Sequence, residues 1–293
     1  MSEILIISLF LLSHVLADFY FPTDKLKNMG NSNLSILWHS TTFLLCSLIL
    51  TSAFFNLTLF AVILIIAVFH FVINKIKISF PNDHKPLTSL LLLISEQLAR
   101  IVIIVAAYPF LTNTELNAWA NRVIGYVMMY YPFLEAVNHI NLLAYIVLVA
   151  AAMLFSIRGG TELSLLIINL PNEKTDYNPK DKTGPIIEQL GRNEVAATTE
   201  IYDRSDNFED HRKEELKRYG KVIGNIERLI IIFAMLINQY QLIALLVAIK
   251  SIGRFKELNN KTSDYYIVGT FASFSIAFLI GFILVSVRSM LLG

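Results

Sequence analysis

The chain has 293 residues, 55% of them hydrophobic and 16% charged, with a mean hydropathy of +0.58 and a formal net charge of +1. A soluble domain carries about 25% charged residues, so this chain lacks the polar surface to cover itself in water and reads as a membrane protein. The balanced charge offers no basic face for nucleic acid, and the single cysteine, Cys46, excludes an intrachain disulfide and a cysteine-based zinc site.

Crossing a bilayer takes about 20 mostly apolar residues, because the hydrocarbon core is about 30 Å thick and a helix rises about 1.5 Å per residue. Seven segments qualify or come close: Ile4 to Phe21, Leu34 to Phe55, Leu57 to Ile73, Leu87 to Phe110, Ile140 to Ile157, Leu229 to Ile249 and Tyr265 to Val287. The first is expected to stay in place and not be cleaved as a signal, since Glu3 stands where a basic region belongs and no small-x-small site follows. Between the fourth and fifth, Asn113 to Leu134 sets Trp119, Tyr126, Tyr130 and Tyr131 among polar residues, which predicts an aromatic helix lying at the interface. Gly159-Gly160 predicts the end of the fifth helix.

The stretch Pro171 to Lys221 then holds 22 of the 47 charged residues. It starts loose and ends in an amphipathic helix, Phe208 to Tyr219, and is too polar to build a core of its own. It reads as a linker with a surface helix, with a docking site for a protein partner as the alternative. The fold class is thus all-α, a polytopic transmembrane bundle of about seven apolar segments. Residues 1–157 form an N-terminal membrane bundle, 158–222 a cytoplasmic polar insert and 223–293 the C-terminal membrane segments.

Cytoplasmic loops are enriched in Lys and Arg. Lys25 and Lys27, then Lys75, Lys77 and Lys85, put the N-terminus outside and the insert in the cytoplasm. The sixth segment conflicts with that count, because a plain span strands Lys250, Arg254, Lys256 and Lys261 outside. A re-entrant hairpin broken at Asn238-Gln239-Tyr240-Gln241 keeps both ends cytoplasmic. Length favours the span and charge favours the hairpin; the reading leans to the span. On a straight helix Glu227 and Lys250 lie about 34 Å apart, whereas a hairpin lets them pair. Failing that, Lys250 and Arg254 are residues snorkelling to the headgroups. In the last segment Gly269, Ser273, Ala277 and Gly281 recur every four residues and predict a close helix contact. The contact is either with a second copy of the chain or with another helix such as the fifth, where Ala152 and Ser156 are small.

Ionisable groups inside apolar segments are costly and mark functional positions. His14 and Asp18 share one helix face, His39 opens the second segment, His70 and Asn74 repeat the four-residue spacing in the third, and Glu96, Gln97 and Arg100 interrupt the fourth. Imidazole and carboxylate suit Zn, Fe or Mn, and pairs spaced four apart on facing helices can assemble such a site. His14, Asp18, His39 and His70 are the candidate metal ligands, with Glu96 as the base acting on a metal-bound water. Without a metal the same groups would relay protons. The competing structural reading pairs Arg100 with Glu96 or Asp18 and leaves His39 and His70 as hydrogen-bonded packing residues.

His14-Val15-Leu16-Ala17-Asp18-Phe19, Lys25, His39, His70 through Lys77 and Glu96-Gln97 resemble the N-terminal half of a bacterial family of integral membrane proteins of unknown function. Gly224 to Leu229, Ala248 to Phe255 and Tyr265 to Thr270 are similar to its C-terminal portion. The resemblance implies a polytopic protein of the bacterial inner membrane. The family pattern has Asp at the place of Asn74, and Asp-Gln-x-x-His where this chain has Glu96-Gln97-Leu98-Ala99-Arg100. The departures remove a carboxylate and an imidazole and add a cation that repels a metal. No Walker A loop, G-x-S-x-G, H-E-x-x-H or dinucleotide fingerprint is present, so neither a nucleotide-driven pump nor a serine hydrolase is supported. Two function classes remain: a membrane protein with a metal- or solute-binding site, and an effector or scaffold controlled through its insert.

Overall fold

A computed structural model describes residues 2–21, 33–79, 86–112, 114–130, 139–170, 219–254 and 263–292. Its main elements are α1 (Ser2–Val15), which runs on as a π-helical turn at Leu16–Tyr20, α2 (Asn33–Leu50), α3 (Leu57–Ser79), α4 (Pro86–Ala106), α5 (Ala118–Tyr130), α6 (His139–Asn169), α7 (219–236), α8 (Tyr240–Arg254) and α9 (Ser263–Leu292). Among the described residues there is no strand. Five stretches are long and apolar enough to cross a bilayer: Ser2–Tyr20, Leu57–Lys77, Pro86–Leu111, Ile140–Asn169 and Ile267–Leu292. The helix predicted at the interface is α5, only 13 residues long. The stretch 171–218, on which the partner-docking alternative rests, lies outside the described residues, as does the side chain of Arg254.

Packing joins distant segments through two apolar clusters that share α6. In the first, Ile6 and Phe10 of α1 meet Phe43 of α2, Leu59, Ile63 and Ile66 of α3, Ile104 of α4 and Ala144 of α6, all fully or almost fully buried. In the second, Ile231, Ile232 and Met235 of α7, Ile243 of α8, and Ala277 and Leu284 of α9 close on Ala152 and Met153 of α6. Large apolar side chains such as Ile49, Leu91, Val102, Phe110, Leu279 and Phe282 point outward. An outer face of this composition calls for an apolar surrounding.

Two expectations fail. Gly159-Gly160 does not end the fifth helix, which continues to Asn169. A Cβ at Gly160 would stand 3.1 Å from Arg228 Nε, and one at Gly159 would meet the ring of Phe155, which packs edge-on against Phe19. Both glycines serve close approach within a continuous helix. The sixth segment is not a plain span either. The chain reverses at Asn238, which adopts the left-handed conformation (φ 56°), and Gln239 donates from its backbone N–H to the Ala234 carbonyl at 2.8 Å. Asn tolerates that conformation better than a branched residue. Arg288 of α9 donates Nη1 to the Leu236 carbonyl at 2.7 Å, supplying a partner where the helix ladder stops. Lys250 and Glu227 form an ion pair across the two arms, the contact that a straight helix forbids.

The small-residue ridge of α9 packs inside the chain. A Cβ at Gly269 would meet Ile168 Cδ1 of α6 at 2.8 Å, Ser273 bonds Arg228 of α7, and a Cβ at Gly281 would lie 2.5 Å from Met235 Sδ. Gly281→Leu is therefore expected to destabilise the C-terminal half by about 1–3 kcal/mol through overpacking. A lowered thermal midpoint of the purified protein in detergent is the check.

Candidate functional site

The first four helices bring their polar side chains to one layer. His14 lies on the last turn of α1, and Asp18 on the π-helical turn that follows. The wider π turn, a feature frequent at functional sites, keeps both on one face, with His14 Nδ1 3.4 Å from Asp18 Oδ1. His39 donates Nε2 to the same oxygen at 2.9 Å. On the other oxygen, Asp18 Oδ2 accepts from Gln97 Nε2 at 3.1 Å and from the Arg100 guanidinium. Gln97 Oε1 in turn accepts from His14 Nε2 at 3.0 Å. The second Arg100 amine reaches Asn74 Oδ1 at 2.6 Å and Glu96, whose other oxygen lies 2.7 Å from Lys77 Nζ.

The layer is charge-balanced, with Asp18 and Glu96 facing Arg100 and Lys77. Arg100 is 1% exposed, whereas the Lys77 side chain is 43% exposed. Each carboxylate has a cation against it, so the structural pairing expected from the sequence is present in both of its forms, along the helix to Glu96 and across the bundle to Asp18.

His70 breaks the pattern. It is 1% exposed, stacks on Phe43 (ring centroids 4.2 Å apart, 15° between planes), meets His14 edge-on at 5.3 Å and lies 6.5 Å from the His39 ring. Neither ring nitrogen has a hydrogen-bond partner among the described residues. A buried imidazole in that condition is expensive, because each unsatisfied polar atom costs about 1–3 kcal/mol. His14 adds a second lone pair. With the Gln97 amide placed so that Nε2 donates to Asp18, Oε1 accepts, so neutral His14 carries its proton on Nε2 and turns a bare Nδ1 toward Asp18 Oδ1. One ligand atom from each of His14, Asp18 and His70 lies within 4.8 Å of the others. A tetrahedral zinc site, with bonds of about 2.0–2.1 Å, needs such atoms about 3.3 Å apart, closer than the 4.8 Å limit within which they stand. Asn74 Nδ2 and Arg100 Nε also lack partners among the described residues; as donors they suit water or an anion, not a metal.

Of the sequence candidates, His14, Asp18, His39, His70, Asn74, Glu96, Gln97 and Arg100 thus converge, while Glu227 and Lys250 form a separate pair at the hairpin. Glu96 has Arg100 on one oxygen and Lys77 on the other. Two participants went unrecognised as site residues in the sequence: Lys77, which counts there as a topological charge and as part of the resemblance, and Phe43, which nothing distinguishes from other apolar residues. A second polar knot around Arg228 was missed as well.

The geometry defines an all-helical bundle with a buried imidazole–carboxylate cluster. A family model described as a protein of unknown function (DUF3307) matches residues 6–126, a span that contains every residue of this cluster. No curated protein and no solved structure matches the chain.

Proposed function

We propose that this chain is a multi-pass protein of the bacterial inner membrane, its insert on the cytoplasmic side, whose N-terminal bundle binds a divalent transition metal (Zn, Fe or Mn) through His14, Asp18 and His70. The observation that carries the reading is His70, buried with both nitrogens unpaired beside the bare Nδ1 of His14 and a carboxylate oxygen. His39 and Gln97 act behind the ligands. His39 donates to the ligating oxygen of Asp18, and Gln97 holds the His14 tautomer that leaves Nδ1 free. The added charge is accommodated if the half-exposed Lys77 swings outward and frees Glu96 as a counter-charge. Three protein ligands leave a fourth position for water or substrate, the arrangement of a catalytic site. Glu96 serves there as a counter-charge and not as the base, since Arg100 still holds its other oxygen.

Elemental analysis of the purified full chain is expected to find about one equivalent of metal, with His70→Ala and His14→Ala each losing it while remaining folded. Metal-free wild-type protein that stays so after incubation with Zn²⁺, Fe²⁺ and Mn²⁺ would sink the reading. The charge-balanced layer would then be purely structural, and function would be sought in the insert, by deleting residues 172–219.

A further inference from the structure

A second polar centre lies in the other half of the chain. A cavity of about 540 Å³ opens between the end of α6, the start of α7, the end of α8 and the start of α9. That volume is within the range of small-ligand sites, about 300–1,000 Å³. Its wall carries three cations, Lys221, Arg228 and Lys250, and one carboxylate, Glu227, which is already paired with Lys250.

Arg228 is 3% exposed, and every acceptor it holds is uncharged. Nε donates to the Ser156 carbonyl at 2.9 Å, Nη1 to Ser273 Oγ at 2.9 Å, and Nη2 to Thr161 Oγ1 at 2.7 Å and Asn225 Oδ1 at 2.5 Å. These bonds fix the guanidinium rigidly; among the described residues no carboxylate bonds to it, and the neighbouring Glu227, whose field it feels, is itself paired with Lys250. A guanidinium has five N–H groups, so one on Nη1 remains. Nη1 is also the atom nearest the space beside Gly224, 3.7 Å from where a Cβ would begin. A buried cation among apolar helices calls for an anion, and a fixed guanidinium favours phosphate oxygens. Leu165, Ile168 and Ile223 line the same cavity and give an apolar wall for the rest of an amphiphile.

We infer that this cavity is a binding site for a phosphate-type anion, held by Arg228 at its floor with Lys221 and Lys250 at its sides. The inference rests on residues apart from the His14–Asp18–His70 cluster and does not depend on a metal there.

The test uses delipidated full-length protein in a neutral detergent, titrated with dihexanoyl phosphatidylglycerol, dihexanoyl phosphatidylcholine and inorganic phosphate. Phosphatidylglycerol is expected to bind at least about tenfold more tightly than phosphatidylcholine, with affinity falling as salt is raised. If inorganic phosphate competes with equal affinity, the source is a free anion; if it competes only weakly, the source is a lipid headgroup. Gly224→Leu places a side chain in the cavity without removing any bond of Arg228 and is expected to abolish binding in a protein that unfolds at an unchanged temperature. Lys221→Ala, at an exposed position, is expected to weaken binding a few-fold. Equal affinity for the two lipids together with no phosphate binding, or full binding by Gly224→Leu, would overturn the inference.

Discussion

Replacing Arg100 by leucine is expected to destabilise the N-terminal bundle by about 3–5 kcal/mol, the usual loss when one partner of a buried ion pair is removed. The guanidinium touches Asp18, Glu96 and Asn74 from a position 1% exposed, so its removal leaves one carboxylate with only Lys77 and the other with no cation. Desolvation sets the size of the effect. Both acids were paid for by the cation they faced, and leucine gives them an apolar neighbour instead. Unfolding followed by the fluorescence of Trp38 on α2 and Trp119 on α5 measures the loss in the right half of the chain, since these are its only two tryptophans. Adding Asp18→Asn and Glu96→Gln to Arg100→Leu is expected to recover most of it. A single-variant loss below about 1 kcal/mol, the scale of an exposed pair, would mean that the layer is hydrated and the charges do not depend on one another. Zn²⁺ offers a second readout. A dication that binds the folded protein alone stabilises it by mass action, and without Arg100 beside Asp18 that stabilisation is expected to grow.

The second large effect concerns the hairpin. With Cys46 changed to alanine the chain has no cysteine, and cysteines introduced at 227 and 250 are expected to cross-link nearly completely with a short bis-maleimide in native membranes. The ion pair between these two residues places their side chains in contact, whereas on one straight helix they stand about 34 Å apart, beyond any short reagent. Absence of the cross-link, with cysteines shown to be reactive singly, would restore the plain span. A charge exchange extends the argument. Glu227→Lys alone sets two cations against each other, and combining it with Lys250→Glu is expected to restore folded yield.

Helix identity was legible because it depends on local composition. Runs such as Leu59 to Phe69 are apolar without interruption, so the hydrogen bonds of a helix are the only way to satisfy their backbone. The polar layer was legible for a related reason. His14, Asp18, His70 and Arg100 are too costly on an outward face of an apolar helix, and their four-residue spacings assign them to common faces. Beyond the Arg100 pairs and the Glu227–Lys250 contact, what escaped was the rest of the pairing. Nothing in the order of residues says that Gln97 bridges His14 to Asp18, that Phe43 covers His70, or that Gly160 and Gly224 clear the ground for Arg228.

The sequence by itself therefore determined the class: an all-helical chain with outward apolar faces and a few buried ionisable groups, because hydropathy and spacing act over one or two helical turns. Only the tertiary structure decided that the sixth segment folds back at Asn238 and that α6 runs on through its two glycines. It alone separated the charges that neutralise one another from His70 and Arg228, which lack such partners. Those outcomes rest on contacts between residues distant in sequence, 82 positions for Asp18 and Arg100, and their energies exist only once the helices have met.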